Sequence, residues 1–226
     1  MTGKRRDAIG NRERTASSLE LVGGRLCLDF ANTVSTRIEP LRCEYLTTYG
    51  ELVGWSQHAG ILTDDAAGTL LSSAVRRPDL AAAVLERAID LREALYQVFA
   101  AIAEQREPRE AALAALNAAL HGALSRLEVR PSAGGYEWAW LQGADELDWM
   151  LWPIVRSAAD LLTSTDIGRV RQCAREGCDW LFVDASKNQS RRWCSMDLCG
   201  SRVKARRYYR RRKRRAEGQG RYAIPD

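Results

Sequence analysis

The sequence predicts an α+β protein with a mainly helical N-terminal domain that includes a small β-hairpin, followed by a small cysteine-based module that ends in a basic helix. Two observations predict the first part: apolar residues recur at steps of three and four, and this period changes around Gly134 and Gly135. A third predicts the module, because four of the six cysteines lie in residues 173–199. The predicted segments are a disordered N-terminus at 1–18, a helical domain at 19–165, a cysteine module at 169–215 and a flexible tail at 216–226.

The N-terminal half begins with a mostly apolar stretch and three helical patterns. In LVGGRLCLDFANTV we expect a short strand and then a helix from Asp29, with Asp29 as its N-cap. TTYGELVGWSQHAG predicts a helix closed by Gly60, and Thr63 with two following aspartates predicts the start of another. The longest helix should begin near Pro78, a residue tolerated in the first turn. Its apolar stripe is Val84, Ala88, Leu91, Leu95, Val98 and Ile102.

Proline and glycine residues mark the boundaries of the remaining elements of this domain. Pro108 opens another helical pattern, and LEVRPSAGGYEWAWL predicts two short strands joined at residues 132–135. Helical spacing returns in GADELDWMLWPIVRSAADLL, where Pro153 should kink the helix or mark its true start. Because these elements could close a core of their own, we expect residues 1–165 to fold alone.

Charge separates the two parts of the chain. The whole sequence has a net charge of +5, but residues 169–226 carry +11 and residues 1–168 carry −6. A basic segment on an acidic body predicts an anionic partner for the C-terminal part alone. No apolar run approaches the ~20 residues that span a bilayer, and no apolar segment follows the basic start. We therefore expect no membrane partner and a cytoplasmic protein whose thiols stay reduced.

The cysteines form two evenly spaced pairs. Cys173 and Cys178 have four residues between them, as do Cys194 and Cys199, and fifteen residues separate the pairs. Two such pairs supply the four thiolates that structural zinc prefers, so one structural Zn²⁺ per chain is the predicted cofactor. Buried thiols, a disulfide or iron are the alternatives. A strand in CDWLFVD and a helix that starts at the second pair predict a treble-clef-like zinc finger.

The same segment resembles the CGNR zinc-finger family. The resemblance is carried by residues 182–186 (FVDAS), 192–196 (RWCSM) and 199–202 (CGSR), where Ser201 replaces the usual Asn of the family motif. A serine at this position can still cap or hydrogen-bond locally. Residues 23–34 (GGRLCLDFANTV) are similar to the opening of the ABATE domain that commonly precedes this finger. The family is regarded as transcription regulators, which implies DNA binding, and the ABATE-like domain would occupy residues 19–165.

An arginine block follows the last cysteine. Ten of the fourteen residues at 202–215 are Arg or Lys, and we expect Val203 with Tyr208 or Tyr209 to pack against the finger. Arginine suits phosphate, so double-stranded DNA is the predicted partner. The alternatives are an RNA-binding or ribosome-associated module, in which the tyrosines stack on bases, and a merely solvated tail. The candidate nucleic-acid-binding residues are Arg191, Arg192, Arg202, Lys204, Arg206, Arg207, Arg210, Arg211, Lys213 and Arg214.

The helical domain offers weaker functional signals. Asp29, Asn32 and Thr33 are candidate ligand-binding residues, although helix capping or backbone satisfaction is the favoured interpretation. A small-molecule effector and homodimerisation are candidate roles for this domain. Cys27 and Cys43 are predicted to be buried thiols. We predict no enzyme, since no phosphate loop, nucleophile elbow or HExxH motif is present, and keep as an alternative an enzyme with an unrecognised site in this domain.

Overall fold

The computed structural model describes residues 15–141 and 146–219, with the side chains of 207 and 213–219 left out. This part of the chain is mainly helical and contains two small antiparallel sheets, as the sequence predicts. The helices and strands are α1 (Leu26–Ala31), α2 (Tyr49–His58), α3 (Asp64–Arg76), α4 (Pro78–Ala103), α5 (Glu110–Leu124), β1 (Leu127–Ser132), β2 (Gly135–Trp140), α6 (Leu151–Leu162), β3 (Val170–Gln172), β4 (Leu181–Val183) and α7 (Ser201–Gln219).

The long helix α4 lies at the centre and contacts α1, α2, α3, α5 and β3. The predicted stripe faces this core: Val84, Ala88, Leu95 and Val98 are at most 1% exposed. A helix with apolar side chains at these steps buries one continuous face, so α4 can pack against several neighbouring elements along its length.

The predicted helix ends are confirmed where a residue type dictates them. The Thr63 hydroxyl accepts a hydrogen bond from the Ala66 amide at 3.2 Å and caps α3. Gly60 has a φ of 75° just after α2, a conformation that glycine adopts without strain. Pro78 is the first residue of α4, and Pro153 lies in the first turn of α6, so it marks a helix start and not a kink.

The start of α1 corrects the prediction for Asp29. The helix begins at Leu26, and Asp29 lies inside it, where the Asp29 carboxylate accepts a 2.7 Å hydrogen bond from the Gly23 amide. The apolar stretch LCL resembles a strand because a short helix buried on nearly all sides has no polar face to set its period. Cys43 is also a correction, since its side chain is exposed, whereas Cys27 is buried as predicted.

The predicted disorder at 1–18 is wrong for its last residues. Residues 1–14 lie outside the described residues, but Ala16–Ser18 forms a short 3₁₀ helix. Ala16 is fully buried, and its amide donates to the Glu51 carboxylate of α2 at 2.9 Å.

At the other end, α7 runs to Gln219, four residues past the predicted end of the cysteine module, and residues 220–226 of the predicted tail lie outside the described residues.

The hairpin β1–β2 is built as predicted, with Ser132 paired to Gly135 across the turn. Its base packs on the helices, because Trp140 lies 5.9 Å from the Trp152 ring. Its tip is exposed: Tyr136 and Trp138 are 79% and 61% accessible.

The strands β3 and β4 of the cysteine module complete the core of the helical domain. Trp180, Leu181 and Phe182 are at most 2% exposed and belong to the same apolar cluster as α1 and α4. The Trp180 indole donates to the Val34 carbonyl at 2.8 Å, and the Val183 amide donates to the Gly23 carbonyl at 2.9 Å. Helical domain and finger therefore share one hydrophobic core.

A buried charge cluster adds a second tie between the two parts. The Arg92 side chain is fully buried and forms two hydrogen bonds to the Glu44 carboxylate, at 2.5 and 2.7 Å. Arg37 pairs with Glu93 at 2.7 Å, and its backbone amide donates to the Asp179 carboxylate at 2.6 Å. Bidentate arginine contacts of this kind hold a loop in one geometry. The loop before α2 is thus tied both to α4 and to the cysteine module.

Candidate metal centre and nucleic-acid interface

The first cysteine pair lies in the loop that joins β3 to β4. The Cys173 amide donates to the Trp180 carbonyl at 2.9 Å and so extends the strand pairing by one residue. The loop then turns sharply, with the Cys178 amide bonded to the Arg175 carbonyl and Gly177 at a φ of 76°. This left-handed glycine makes the tight turn just before Cys178.

The second pair lies where the chain enters α7. The Ser195 hydroxyl accepts from the Leu198 amide and caps a turn of π-helix, Met196–Gly200, that runs directly into α7. Cys199 lies within this turn, as predicted. Cys199 therefore lies at the N-terminal end of the helix, where the helix dipole favours a thiolate.

The four cysteines meet in one buried cluster. Their Sγ atoms all lie within 4.8 Å of one another, and each residue is at most 6% exposed. Cys178 and Cys194 are 3.9 Å apart, and Cys194 and Cys199 are 3.4 Å apart. A tetrahedral zinc–thiolate site has sulfur–sulfur edges of about 3.8 Å, whereas a disulfide requires about 2.05 Å. The geometry fits a single tetrahedral ion and no disulfide.

The donor set also favours a bound cation, because only a cation lets all four thiols ionise together. Hydrogen bonds from the Cys178, Cys194 and Cys199 thiols lower the pKa of Cys173. The same proximity raises the pKa of Cys178 and Cys194, chiefly through Cys173. Four thiols this close cannot all ionise alone, because each thiolate opposes the next. A divalent ion removes that repulsion, and four sulfur ligands leave no open coordination position, which is the pattern of a structural site.

Arg175, which no sequence motif marks, lies against the cluster. Its Nε donates to the Cys199 Sγ at 3.1 Å, and its Nη2 donates to the Gly177 carbonyl at 3.3 Å. Burial opposes the charge of Arg175, but Cys199 and Cys178 raise its pKa overall. Outer partners of this kind fix the orientation of metal ligands and offset their charge. The sequence contained a signal for this role, because Arg175 lies between the metal ligands Cys173 and Cys178 in the chain.

Asp184 organises the loop that links the two cysteine pairs. Its carboxylate accepts hydrogen bonds from the Ser186 amide and hydroxyl, at 2.9 and 2.6 Å, and from the Arg191 amide at 2.9 Å. Although burial opposes ionisation, these bonds lower the pKa of Asp184. This explains the FVDAS segment: the Asp–Ser pair folds the loop so that Cys194 returns to the first pair.

The basic helix α7 starts directly after the metal cluster, and the Ser201 hydroxyl donates to the Asp197 carbonyl at 2.5 Å, a local bond of the kind predicted for serine here. Most of the predicted basic residues that can be described lie on the surface. Arg192, Lys204, Arg206, Arg210 and Arg211 are exposed and Arg202 is partly exposed, while the side chains of Arg207, Lys213 and Arg214 lie outside the described residues.

Arg191 departs from the other predicted nucleic-acid-binding residues. Its guanidinium lies 4.3 Å from the centre of the Phe182 ring and donates to the carbonyls of Trp193, Val22 and Cys194. These contacts give Arg191 a structural role between the finger and the N-terminal domain.

The packing predicted for the tyrosines of α7 is wrong. Tyr208 and Tyr209 are 58% and 66% exposed and contact each other edge to face, at 5.8 Å between ring centres. Arg212 lies 5.9 Å from the Tyr208 ring. The aromatic rings therefore lie on the outer surface of the basic helix and not against the finger.

The polar residues of α1 serve the junction between the two parts. Asn32 is 2% exposed and makes two hydrogen bonds with the Leu181 backbone, one donated and one accepted, both of 2.8 Å. The Thr33 hydroxyl donates to the Phe30 carbonyl, and burial raises the pKa of Asp29 to about 6 despite the Gly23 hydrogen bond. These contacts are the ones expected if the three residues satisfy buried backbone groups. Ligand binding by Asp29, Asn32 and Thr33 stays a prediction.

Comparison with known protein families gives two matches. A model named ABATE, described as "Putative stress-induced transcription regulator", matches residues 24–165, and a CGNR zinc finger model matches residues 169–212. No curated protein matches the chain. Together with the sulfur cluster, the second match makes Cys173, Cys178, Cys194 and Cys199 the site of one zinc ion. Among the described residues, no helix is both long and apolar enough to cross a bilayer.

Proposed function

The chain belongs to the ABATE family, and on that premise we propose that it is a transcription regulator that binds double-stranded DNA through its zinc finger and basic helix. The helical domain would sense a ligand or form a homodimer, and no catalytic step is part of the proposal. We place the protein in the cytoplasm, because four thiolate ligands need a reducing compartment.

One observation carries the proposal: α7 leaves the finger directly at the metal cluster. Cys199 lies in the turn that opens the helix, so an ion bound there fixes the direction in which α7 projects. A run of like charges repels itself and does not stay helical without an anchor. The metal centre therefore explains how a helix with so many arginines can keep one shape before it meets a polyanion.

The charge distribution supports binding by this end of the molecule. Residues 169–226 carry a net charge of +11 and residues 1–168 carry −6. A duplex is repelled by the acidic body and attracted by the basic helix, which orients the encounter. Arginine contacts to phosphate release counterions, so affinity should fall steeply as salt rises.

The helical domain has a cleft that supports the effector role. An open cleft of about 400 Å³ lies between α4, α5 and α6, with Val84 and Trp152 among its apolar residues. Two ion pairs, Arg87 with Asp148 and Arg126 with Glu146, lie at the same cleft. A cleft of this volume lies within the size range of small-molecule sites.

The test is duplex affinity measured at several salt concentrations for the full chain, for the chelated chain and for a chain that ends at Ser201. We expect strong salt dependence for the full chain, loss of affinity without α7, and loss of the tight component after chelation with only weak attraction left. Unchanged affinity and salt slope after truncation would make α7 a solvated tail and remove the proposal.

Exposed Tyr208 and Tyr209 favour a second candidate, binding of RNA. Unpaired bases stack on accessible aromatic rings, and both tyrosines lie among arginines on α7. Structured RNA with single-stranded loops should be titrated beside a duplex of equal phosphate number. Tighter RNA binding that is lost in a Tyr208→Ala, Tyr209→Ala double variant would favour this candidate over DNA.

A further inference from the structure

A basic groove separates α7 from the loop of the first cysteine pair. The groove has a volume of about 230 Å³, and its lining includes Arg175, Glu176 and Val203 together with Arg202, Arg206 and Arg210 of α7. Four guanidinium groups and one carboxylate therefore surround a space of about eight water volumes. This charge balance favours an anion.

Helix geometry places three of these arginines in one row. Arg202, Arg206 and Arg210 are four residues apart, so they follow one face of α7 and turn gradually along it. Lys204 and Arg211 lie on the opposite side of the helix, at about 180–200° from Arg202. The groove thus distinguishes two faces of a helix that looks uniformly basic in sequence.

Arg175 faces the row from the other wall and links it to the metal centre. One edge of its guanidinium is fixed by the Cys199 sulfur and the Gly177 carbonyl. Arginine has five N–H donors, more than its contacts with the metal cluster use, so it can also donate into the groove that Arg175 lines. A guanidinium fixed along one edge is already oriented for a bidentate contact with phosphate.

Glu176 occupies the same groove with the opposite charge. Its carboxylate lies 2.6 Å from the Arg206 guanidinium, and its side chain is 80% exposed. An exposed ion pair of this kind contributes little to stability. It does compete for Arg206, because a phosphate oxygen and the Glu176 carboxylate would seek the same N–H donors.

We propose that this groove is the seat for one backbone phosphate of duplex DNA, held by Arg206, Arg210 and Arg175, and that Glu176 is the internal competitor that the phosphate displaces. The inference rests on the proposed function and adds to it which face of α7 meets the duplex. It also gives Arg175 two roles at once, as a partner of the metal-bound sulfur and as a phosphate ligand.

Paired single substitutions on the two faces of α7 test the assignment. Arg206→Ala and Arg211→Ala remove the same charge from the same exposed helix, and alanine favours helix at both positions. Affinity for a 20-base-pair duplex should fall about tenfold for Arg206→Ala and less than about threefold for Arg211→Ala. The slope of log affinity against log salt should drop by about one for Arg206→Ala and by less for Arg211→Ala. Equal losses from the two variants would overturn the assignment of the face.

Removal of the competitor gives a test with the opposite sign. Glu176→Gln should tighten duplex binding by about two- to fivefold, since the phosphate no longer competes with a carboxylate. Asp197→Asn removes an equal charge from an exposed finger residue that does not line the groove, and should change affinity less. Equal gains from both variants would mean that only net charge matters, and the competitor role would be wrong.

Two further arms separate this inference from the proposed function and from free phosphate as the ligand. If the full chain does not bind duplex at all, the proposed function fails; if it binds and the two faces of α7 contribute equally, only the inference fails. Inorganic phosphate at millimolar concentration should not displace the duplex, because the seat holds one contact of many. Displacement at that concentration would identify a free-anion site instead and overturn the proposal.

Discussion

The two halves of the zinc finger are held by different forces. The first half, with β3 and β4, lies in the core of the helical domain, where Leu181 and Phe182 are fully buried. The second half lies at the edge of that core: Cys194 and Cys199 are buried beside the first pair, but the described side chains of α7 are partly or wholly exposed. Hydrophobic burial fixes the first half, and the metal centre joins the second half to it.

This difference changes what the zinc ion does. In a free-standing small finger, the metal supplies most of the folding free energy, because the core is too small. Here the strands are already part of a larger core, so the ion mainly positions α7 on a rigid support. The basic helix is thereby connected to the helical domain without a flexible linker, and a change in that domain can reach α7 through packed elements.

Truncation before the finger should have the largest effect. A chain that ends at residue 168 loses Trp180, Leu181 and Phe182 from the core, and burial of each side chain contributes about 1.5–3 kcal/mol. The sum of about 5–9 kcal/mol is comparable to the whole stability of a domain. We therefore expect the fragment to lose cooperative thermal unfolding, contrary to the expectation from sequence that 1–165 folds alone.

The matched control for this truncation is the chain that ends at Ser201, which keeps both strands and all four cysteines. It should melt cooperatively in circular dichroism and retain zinc. A well-folded 1–168 fragment would show that the shared core is dispensable, and the contrast between the two halves would disappear.

Loss of the Asn32 side chain should come next in size. Asn32→Ala leaves the buried N–H and C=O of Leu181 without partners, at about 1–3 kcal/mol each. We expect the free energy of unfolding to fall by about 2–6 kcal/mol in denaturant titrations. Asn188→Ala, on the exposed loop between the cysteine pairs, is the control and should change stability by less than about 0.5 kcal/mol.

Removal of one metal ligand should act locally. Cys199→Ser should abolish zinc binding and remove hydrogen-exchange protection from α7, because the helix loses its anchor. The amides of β3 and β4 should stay protected, since the core and not the metal holds them. Cys43→Ser, at an exposed cysteine outside the cluster, should leave both zinc content and exchange unchanged. Simultaneous loss of protection in β4 and α7 would contradict the division into two halves.

The smallest predicted effect concerns pH at the junction. Burial raises the pKa of Asp29 to about 6 in the folded state, above about 3.9 for an exposed carboxyl. The folded state therefore binds the proton more tightly, and the contribution of Asp29 to stability falls as pH rises from about 5 to 7, by about 1 kcal/mol. Asp29→Asn keeps an oxygen that can accept from Gly23 and should remove this slope. The test compares the melting temperatures of the native chain and of Asp29→Asn between about pH 5 and 7. A difference between the two melting temperatures that does not change with pH would rule out the predicted contribution of Asp29.

Local signals in the sequence predicted the parts that depend on neighbouring residues. The cysteine spacing predicted the metal cluster, and Pro78, Thr63 and Gly60 marked helix ends, because proline, threonine and glycine act on the backbone within a few residues. The resemblance to the CGNR and ABATE families, carried by short motifs, was confirmed by the family matches.

What could not be predicted depends on contacts between distant residues. Asn32 and Leu181 are 149 positions apart, so nothing near either residue indicates their pairing. Arg191 looked like another surface arginine, but its place over Phe182 follows from how the Asp184 loop folds back. The exposure of Tyr208 and Tyr209 was missed for a similar reason. Only the direction in which α7 projects shows that these rings do not lie against the finger.

The position of β4 in the chain also has a consequence during synthesis. The last helix of the helical domain ends at Leu162, but the strand that closes the core of this domain ends only at Val183. At roughly 5–20 residues per second, a ribosome needs about one to four seconds to add that stretch. For that time the nascent helices expose the apolar surface that Phe182 and its neighbours will cover, so the emerging chain should be a substrate for chaperones until its C-terminal strands leave the ribosome.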